Sequence, residues 1–131
     1  MKLNILIVED EKMLREMLAQ LAEIGGHSVT QANSAVEAIR LLDHNDYDVV
    51  LTDNDMPAPN EGMKVIECAR LSSYRPHIIW MSGRASGNPT LVQKALEQGA
   101  DAVLYKPFEM KEFMTIIQEA TARKVLDVVP V

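Results

Sequence analysis

Asp53 closes a short apolar run, Val49-Val50-Leu51-Thr52, and is followed by Asn54-Asp55-Met56-Pro57. A carboxylate at the end of a buried strand can be a metal ligand, a nucleophile or both. Aspartate is also a favoured turn residue, so the position alone does not decide. Three more polar loops follow apolar runs: Glu9-Asp10-Glu11 after Ile5 to Val8, Ser82-Gly83-Arg84 after Ile78 to Met81, and Lys106-Pro107 after Ala102 to Tyr105. Together these residue types fit phosphoryl transfer, which depends mainly on positioning and charge neutralisation. Asp10 and Asp53 offer the carboxylates that magnesium prefers, and Asp53 can also be the acceptor, forming an acyl phosphate. Ser82 offers a hydroxyl and Lys106 an ammonium to phosphate oxygens. Each also has a plainer role: acidic residues at a helix N-terminus, a turn serine, a solvated lysine, a strand-breaking proline.

The elements that position these loops alternate along the chain. Ile5 to Val8 is a continuous apolar run, as expected of a strand buried on both faces. Leu14, Met17, Leu18, Leu21 and Ala22 repeat at helical spacing, and Gly25-Gly26 stops that helix. Ser28 to Ala32 is a second, weaker strand. Ser34 to Glu37 forms a capping box, with Ala38, Ile39 and Leu42 on the buried side of the next helix. Tyr47 to Asp53 is the third strand. Met63, Val65, Ile66 and Ala69 mark a third helix. Ile78 to Met81 is a fourth strand, and Asn88-Pro89 opens a fourth helix that Gly99 ends. Ala102 to Tyr105 is a fifth strand, and Phe113, Ile116, Ile117 and Ala120 mark a last helix. Alternating strands and helices predict an α/β fold with a parallel sheet covered on both faces. In a doubly wound sheet, the loops bearing Glu9/Asp10, Asp53, Ser82 and Lys106 share the carboxyl edge, where such folds bind ligands. Val125 to Val131 shows no helical period and reads as a tail or the start of a linker.

The 131 residues fit one domain. Thirteen Lys and Arg against 19 Asp and Glu give a net charge of −6, which argues against a direct nucleic-acid surface. The single cysteine, Cys68, excludes an intrachain disulfide and a cysteine-based zinc site, and its helical setting reads as core. His27, His44 and His77 are not at metal-ligand spacing. No apolar run approaches a membrane span. The apolar start is too short, and too soon followed by acids, for a signal peptide; a cytoplasmic home is expected.

In these segments, with Gly62, Gly99-Ala100-Asp101 and Phe108, the chain resembles the receiver domain of two-component response regulators over roughly residues 2–123. The resemblance implies a flavodoxin-like (βα)5 fold with strand order 2-1-3-4-5. Residues 1–124 would form the receiver domain, with residues 125–131 outside it. Asp53 would take a phosphoryl group from a sensor histidine kinase or a histidine phosphotransfer protein. Glu9 and Asp10 would form the acidic pair that binds Mg2+, with Asp53 and the main-chain carbonyl of Asp55 as further ligands. Ser82 and Lys106 would read the phosphoryl group, and the Lys106-Pro107 bond would be cis. Asp55 and Arg84 would flank the phosphate and tune its lifetime; by charge alone they could pair across the mouth of the site, or Asp55 by itself could orient the attacking water. A downstream target or fused output domain would read the switch, and a homodimer is compatible with it.

Departures from the family pattern are Glu9 in place of aspartate, an added Pro59, Gly83 where alanine is common, and Val103 where many relatives carry a switching aromatic. Tyr105 should face away from Leu104 and Lys106. Two other readings compete. Asp53-Asn54-Asp55 resembles the Asp-x-Asp of haloacid-dehalogenase-like phosphatases, but that family needs an acidic pair after the lysine, whereas Glu9-Asp10 precedes it. A pseudo-receiver that is never phosphorylated would not need five chemically competent positions.

Overall fold

The computed structural model describes residues 2–56, 61–85 and 87–128, with side chains described as far as Lys124. Five strands alternate with five helices: β1 (Asn4–Val8), α1 (Lys12–Ile24), β2 (Ser28–Ala32), α2 (Ala35–His44), β3 (Val49–Asp53), α3 (Glu61–Arg70), β4 (His77–Ser82), α4 (Pro89–Gln98), β5 (Ala102–Tyr105) and α5 (Met110–Val128). The strands form one parallel sheet in the order β2-β1-β3-β4-β5. This is the expected doubly wound fold.

Side chains alternate across each strand, and the sheet therefore has two cores. Leu6, Val8, Val50, Ile78 and Trp80 face one way, against Ala38 and Leu42 of α2, Val65 and Ile66 of α3, and Ala95 of α4. Ile5, Ile7, Val49, Leu51, Ile79 and Met81 face the other way, against Leu18 and Ala22 of α1 and Phe113, Ile117 and Ala120 of α5. The central strands β3 and β4 are buried throughout. Their nearly unbroken apolar sequences follow from burial on both faces.

Local signals close the helices where the sequence places them. Ser34 Oγ accepts from the Glu37 N–H at 3.1 Å. Glu37 returns a bond to the Asn33 N–H, one residue earlier than in the usual reciprocal box. Asn88 Oδ1 accepts from the Leu91 N–H at 3.1 Å, with Pro89 in the first turn of α4. Gly99 ends α4 at φ +129°, a conformation that favours glycine.

Three details differ from the sequence reading or extend it. Helix α5 runs to Val128, four residues into the stretch read as a tail. Trp80 is fully buried, as expected, but among the described residues its indole N–H has no hydrogen-bond partner. His77, at the amino end of β4, is also buried. Burial lowers its pKa, and Arg123, Lys124 and Arg75 add to that effect against the opposing charge of Asp101.

Candidate functional site

The carboxyl ends of β1, β3, β4 and β5 meet at one edge of the sheet, and each delivers a polar side chain there. Arg15 Nη1 donates to the carbonyl of Glu9 at 2.9 Å, which helps fix the chain as it leaves β1. The start of α3 rests on the end of β3. A Cβ on Gly62 would lie 2.6 Å from the Asp53 carbonyl oxygen and 2.8 Å from Asn54 Cα. Only glycine allows α3 to sit that close to the backbone of Asp53.

Glu9, Asp10 and Asp53 each place a carboxylate oxygen within 4.8 Å of the others. Glu9 and Asp53 are each 1% exposed, whereas Asp10 is open to solvent. Lys106 Nζ sits between the two buried acids, 2.7 Å from Glu9 Oε1 and 3.0 Å from Asp53 Oδ1. Glu9 Oε2 also accepts from the Glu11 N–H at 3.2 Å. The contact with Asp53 Oδ1 is an ion pair without hydrogen-bond geometry, and among the described residues that buried oxygen accepts no hydrogen bond.

The charges in this cluster are lopsided. Burial pushes the Glu9 carboxyl up from 4.5 to about 7; its hydrogen bond from Lys106 opposes this, and the charge of Asp53 adds to it. Burial also works to lower the Lys106 ammonium, but the hydrogen bond to Glu9 and the charge of Asp53 outweigh it, so the lysine is raised. One cation gains from two anions, while the two anions share one cation. The three carboxylates together offer the hard oxygen donors that a magnesium ion takes, and the fully buried Asp53 Oδ1 without a hydrogen bond fits the same donor set.

Ser82 is fully buried at the end of β4, but its hydroxyl is not directed at Asp53. Its Oγ lies 3.2 and 3.3 Å from the two carboxylate oxygens of Asp55. Asp55 Oδ2 also accepts from the Gly83 N–H at 2.8 Å. The expected Asp55–Arg84 ion pair is therefore not the arrangement observed. Among the described residues no ion pair joins them, and Arg84 enters through its main-chain N–H, which donates to Ser82 Oγ at 3.0 Å. The strand register prepares this: Asp53 is level with Met81 where the pairing ends, and two residues beyond each of them Asp55 Oδ2 meets the Gly83 N–H. Sequence reasoning paired Asp55 by charge and missed this contact, whose only signal was that β3 and β4 are neighbours.

The remaining expectations at the site divide simply. The Lys106-Pro107 peptide is cis. Tyr105 is about half exposed and lines a groove with Val92 of α4, while Leu104 packs into the opposite core. Pro57 to Asn60, including the added Pro59, lie outside the described residues.

Residues 5–118 match the model of the response regulator receiver domain, and the chain belongs to this family. It is 33% identical over 128 residues to the two-component response regulator ARR11 of Arabidopsis thaliana, covering 96% of this chain and 24% of that protein. It is 30% identical over 117 residues to the DNA-binding transcriptional regulator NtrC of Azospirillum brasilense, covering 89% of this chain and 24% of that protein. The chain thus spans about a quarter of the length of each of these relatives. A CheY-like receiver domain from Methanospirillum hungatei superposes with a TM-score of 0.84 at 25% identity, covering 95% of this chain and 97% of that one. The protein is a receiver domain of two-component signalling, and the phosphatase and pseudo-receiver readings are not favoured. The expectation of no direct nucleic-acid contact is not supported, since one relative is named as DNA-binding. No helix among the described residues is long and apolar enough to cross a membrane.

Proposed function

We propose that Asp53 accepts a phosphoryl group from a phosphohistidine on a sensor kinase or a histidine phosphotransfer protein, and that this sets the signalling state. The observation that carries this reading is the pairing of a 1%-exposed Asp53 with Lys106 Nζ at 3.0 Å, beside Glu9 and Asp10. An Asp53 carboxylate oxygen attacks phosphorus, the phosphorus–nitrogen bond breaks, and the imidazole leaves with the electron pair. The product is an acyl phosphate, and hydrolysis by water returns the carboxylate and inorganic phosphate. The chain promotes only these steps on itself.

Lys106 stays protonated through the step and offsets charge on the phosphoryl oxygens. Mg2+ would be held by Asp10, Asp53, the main-chain carbonyl of Asp55 and, directly or through water, Glu9, and it supplies neutralisation of phosphoryl charge when bound. Ser82 supplies a hydroxyl to the phosphoryl group, and the loop it begins carries the change to α4. The readout is a downstream protein or a fused output domain, including a DNA-binding one, in the cytoplasm. Incubation with a small acyl-phosphate donor and Mg2+ tests the assignment. Wild type should incorporate phosphate and Asp53→Asn should not; equal incorporation removes Asp53 from the reaction.

A further inference from the structure

The loop that leaves β4 is folded around one anion, the side chain of Asp55. The carboxylate takes the Ser82 hydroxyl at 3.2 and 3.3 Å and the Gly83 N–H at 2.8 Å. Ser82 Oγ in turn accepts from the Arg84 N–H at 3.0 Å, so three consecutive residues are tied to this contact. Asp55 Oδ2 and Lys106 Cβ both lie 3.7 Å from where a Gly83 Cβ would stand, which puts the contact beside the lysine that serves Asp53.

A serine hydroxyl has one proton to donate. While Asp55 takes it, a phosphoryl group on Asp53 cannot. We propose that Asp55 is a positioning residue whose carboxylate occupies, in the unphosphorylated protein, the donors that the phosphoryl group needs. Phosphorylation then exchanges one anion for another at Ser82 and Gly83. This rests on the reading of Asp53 as the acceptor.

The exchange runs towards the phosphoryl group because that group carries nearly two charges and three strong acceptor oxygens, against one charge on the carboxylate. It also moves the loop. Ala85, one residue past Arg84, is 2% exposed and packs in the same core as Trp80 and Ala95. Releasing Asp55 from Ser82 and Gly83 therefore reaches the base of α4 through a packed side chain. The carboxylate holds the loop in its resting position and opposes the approach of a second anion.

Titration with beryllium trifluoride in Mg2+, followed by amide NMR, tests this, because that anion stands in for a phosphoryl group on a carboxylate. Asp55→Ala should bind it about tenfold more tightly or better, corresponding to about 1.4 kcal/mol. Asp55→Asn should fall between Asp55→Ala and wild type, since its amide oxygen still accepts from the Gly83 N–H. In wild type the Gly83 amide resonance should move on binding, as Asp55 gives way. Asp53→Asn should abolish binding. Binding that survives Asp53→Asn overturns the acceptor reading itself. Binding lost in Asp53→Asn but unchanged or weakened in both Asp55 variants overturns the exchange alone. If Asp55→Ala does not fold, Asp55→Asn and the wild-type Gly83 resonance decide, and an unmoved resonance overturns the exchange.

Discussion

Replacing Glu9 with glutamine should flatten part of the pH dependence of stability. Glu9 is 1% exposed, and burial raises its carboxyl from 4.5 to about 7. The folded protein therefore binds this proton more tightly than the unfolded chain does. Between pH 4.5 and about 7 the folded state carries the extra proton, so stability falls as pH rises through that window. Below it, both states are protonated and the cost is absent; above it, the cost is complete. At about 1.4 kcal/mol per pH unit, the interval sets an upper limit of about 3 kcal/mol. Lys106 shares its charge with Asp53 as well as Glu9, and the neighbours relax, so the expected cost is on the order of 1–3 kcal/mol. Glutamine cannot titrate, and the other carboxylates form a common background. Urea denaturation of both proteins in chelator, from about pH 5 to about pH 8, reads the difference. The stability of Glu9→Gln relative to wild type should rise by that amount across the range, and Mg2+ should narrow the gap by supplying the missing cation. Parallel profiles in chelator would refute the claim that Glu9 is a destabilised buried anion.

Two further outcomes follow from the same geometry. Gly62→Ala gains up to about 1 kcal/mol from helix propensity, but its methyl meets the backbone of Asp53 and Asn54, which no rotamer change relieves. Overpacking of this kind costs about 1–3 kcal/mol, so a net loss is expected in urea denaturation, with slower phosphorylation; a variant as stable as wild type contradicts the close seating of α3. Asp10→Asn removes the solvent-facing carboxylate of the cluster and should weaken Mg2+ binding about tenfold or more in a calorimetric titration, whereas an unchanged affinity would take Asp10 out of the metal site.

Much of this architecture was legible because one physical pattern dominated each segment. The apolar runs of β1, β3 and β4 read as strands because both of their faces are covered, and the caps at Ser34 and Asn88 lie at the residues whose side chains make them. Glu9, Asp10, Asp53 and Lys106 converge because parallel strands deliver all their carboxyl ends to one edge. The end of α5 was hidden by a lysine. Lys124 continues the stripe of Phe113, Ile117 and Ala120, and is 5% exposed, with Nζ 3.1 Å from the carbonyl of Arg75 and 4.8 Å from the centre of the Tyr74 ring. A buried aliphatic stem with a charged tip does not register as apolar in a periodicity reading. The Asp55–Ser82 contact was hidden for a different reason. It joins loops 27 residues apart, and it depends on the adjacency of β3 and β4, which the hydrophobic pattern alone does not encode.

The central claim is that Asp53 carries the phosphoryl group, and locating that group tests it most directly. The protein is loaded from a phosphohistidine donor with Mg2+, the acyl phosphate is reduced with borohydride, and the peptides are mapped by mass spectrometry. Reduction converts a phosphorylated aspartate to homoserine. The account predicts homoserine at position 53 and no reduced side-chain alcohol at Glu9, Asp10 or Asp55, with the signal lost when the donor is omitted. Label at another carboxylate, or none at position 53 from a donor that phosphorylates a known receiver in parallel, would contradict it.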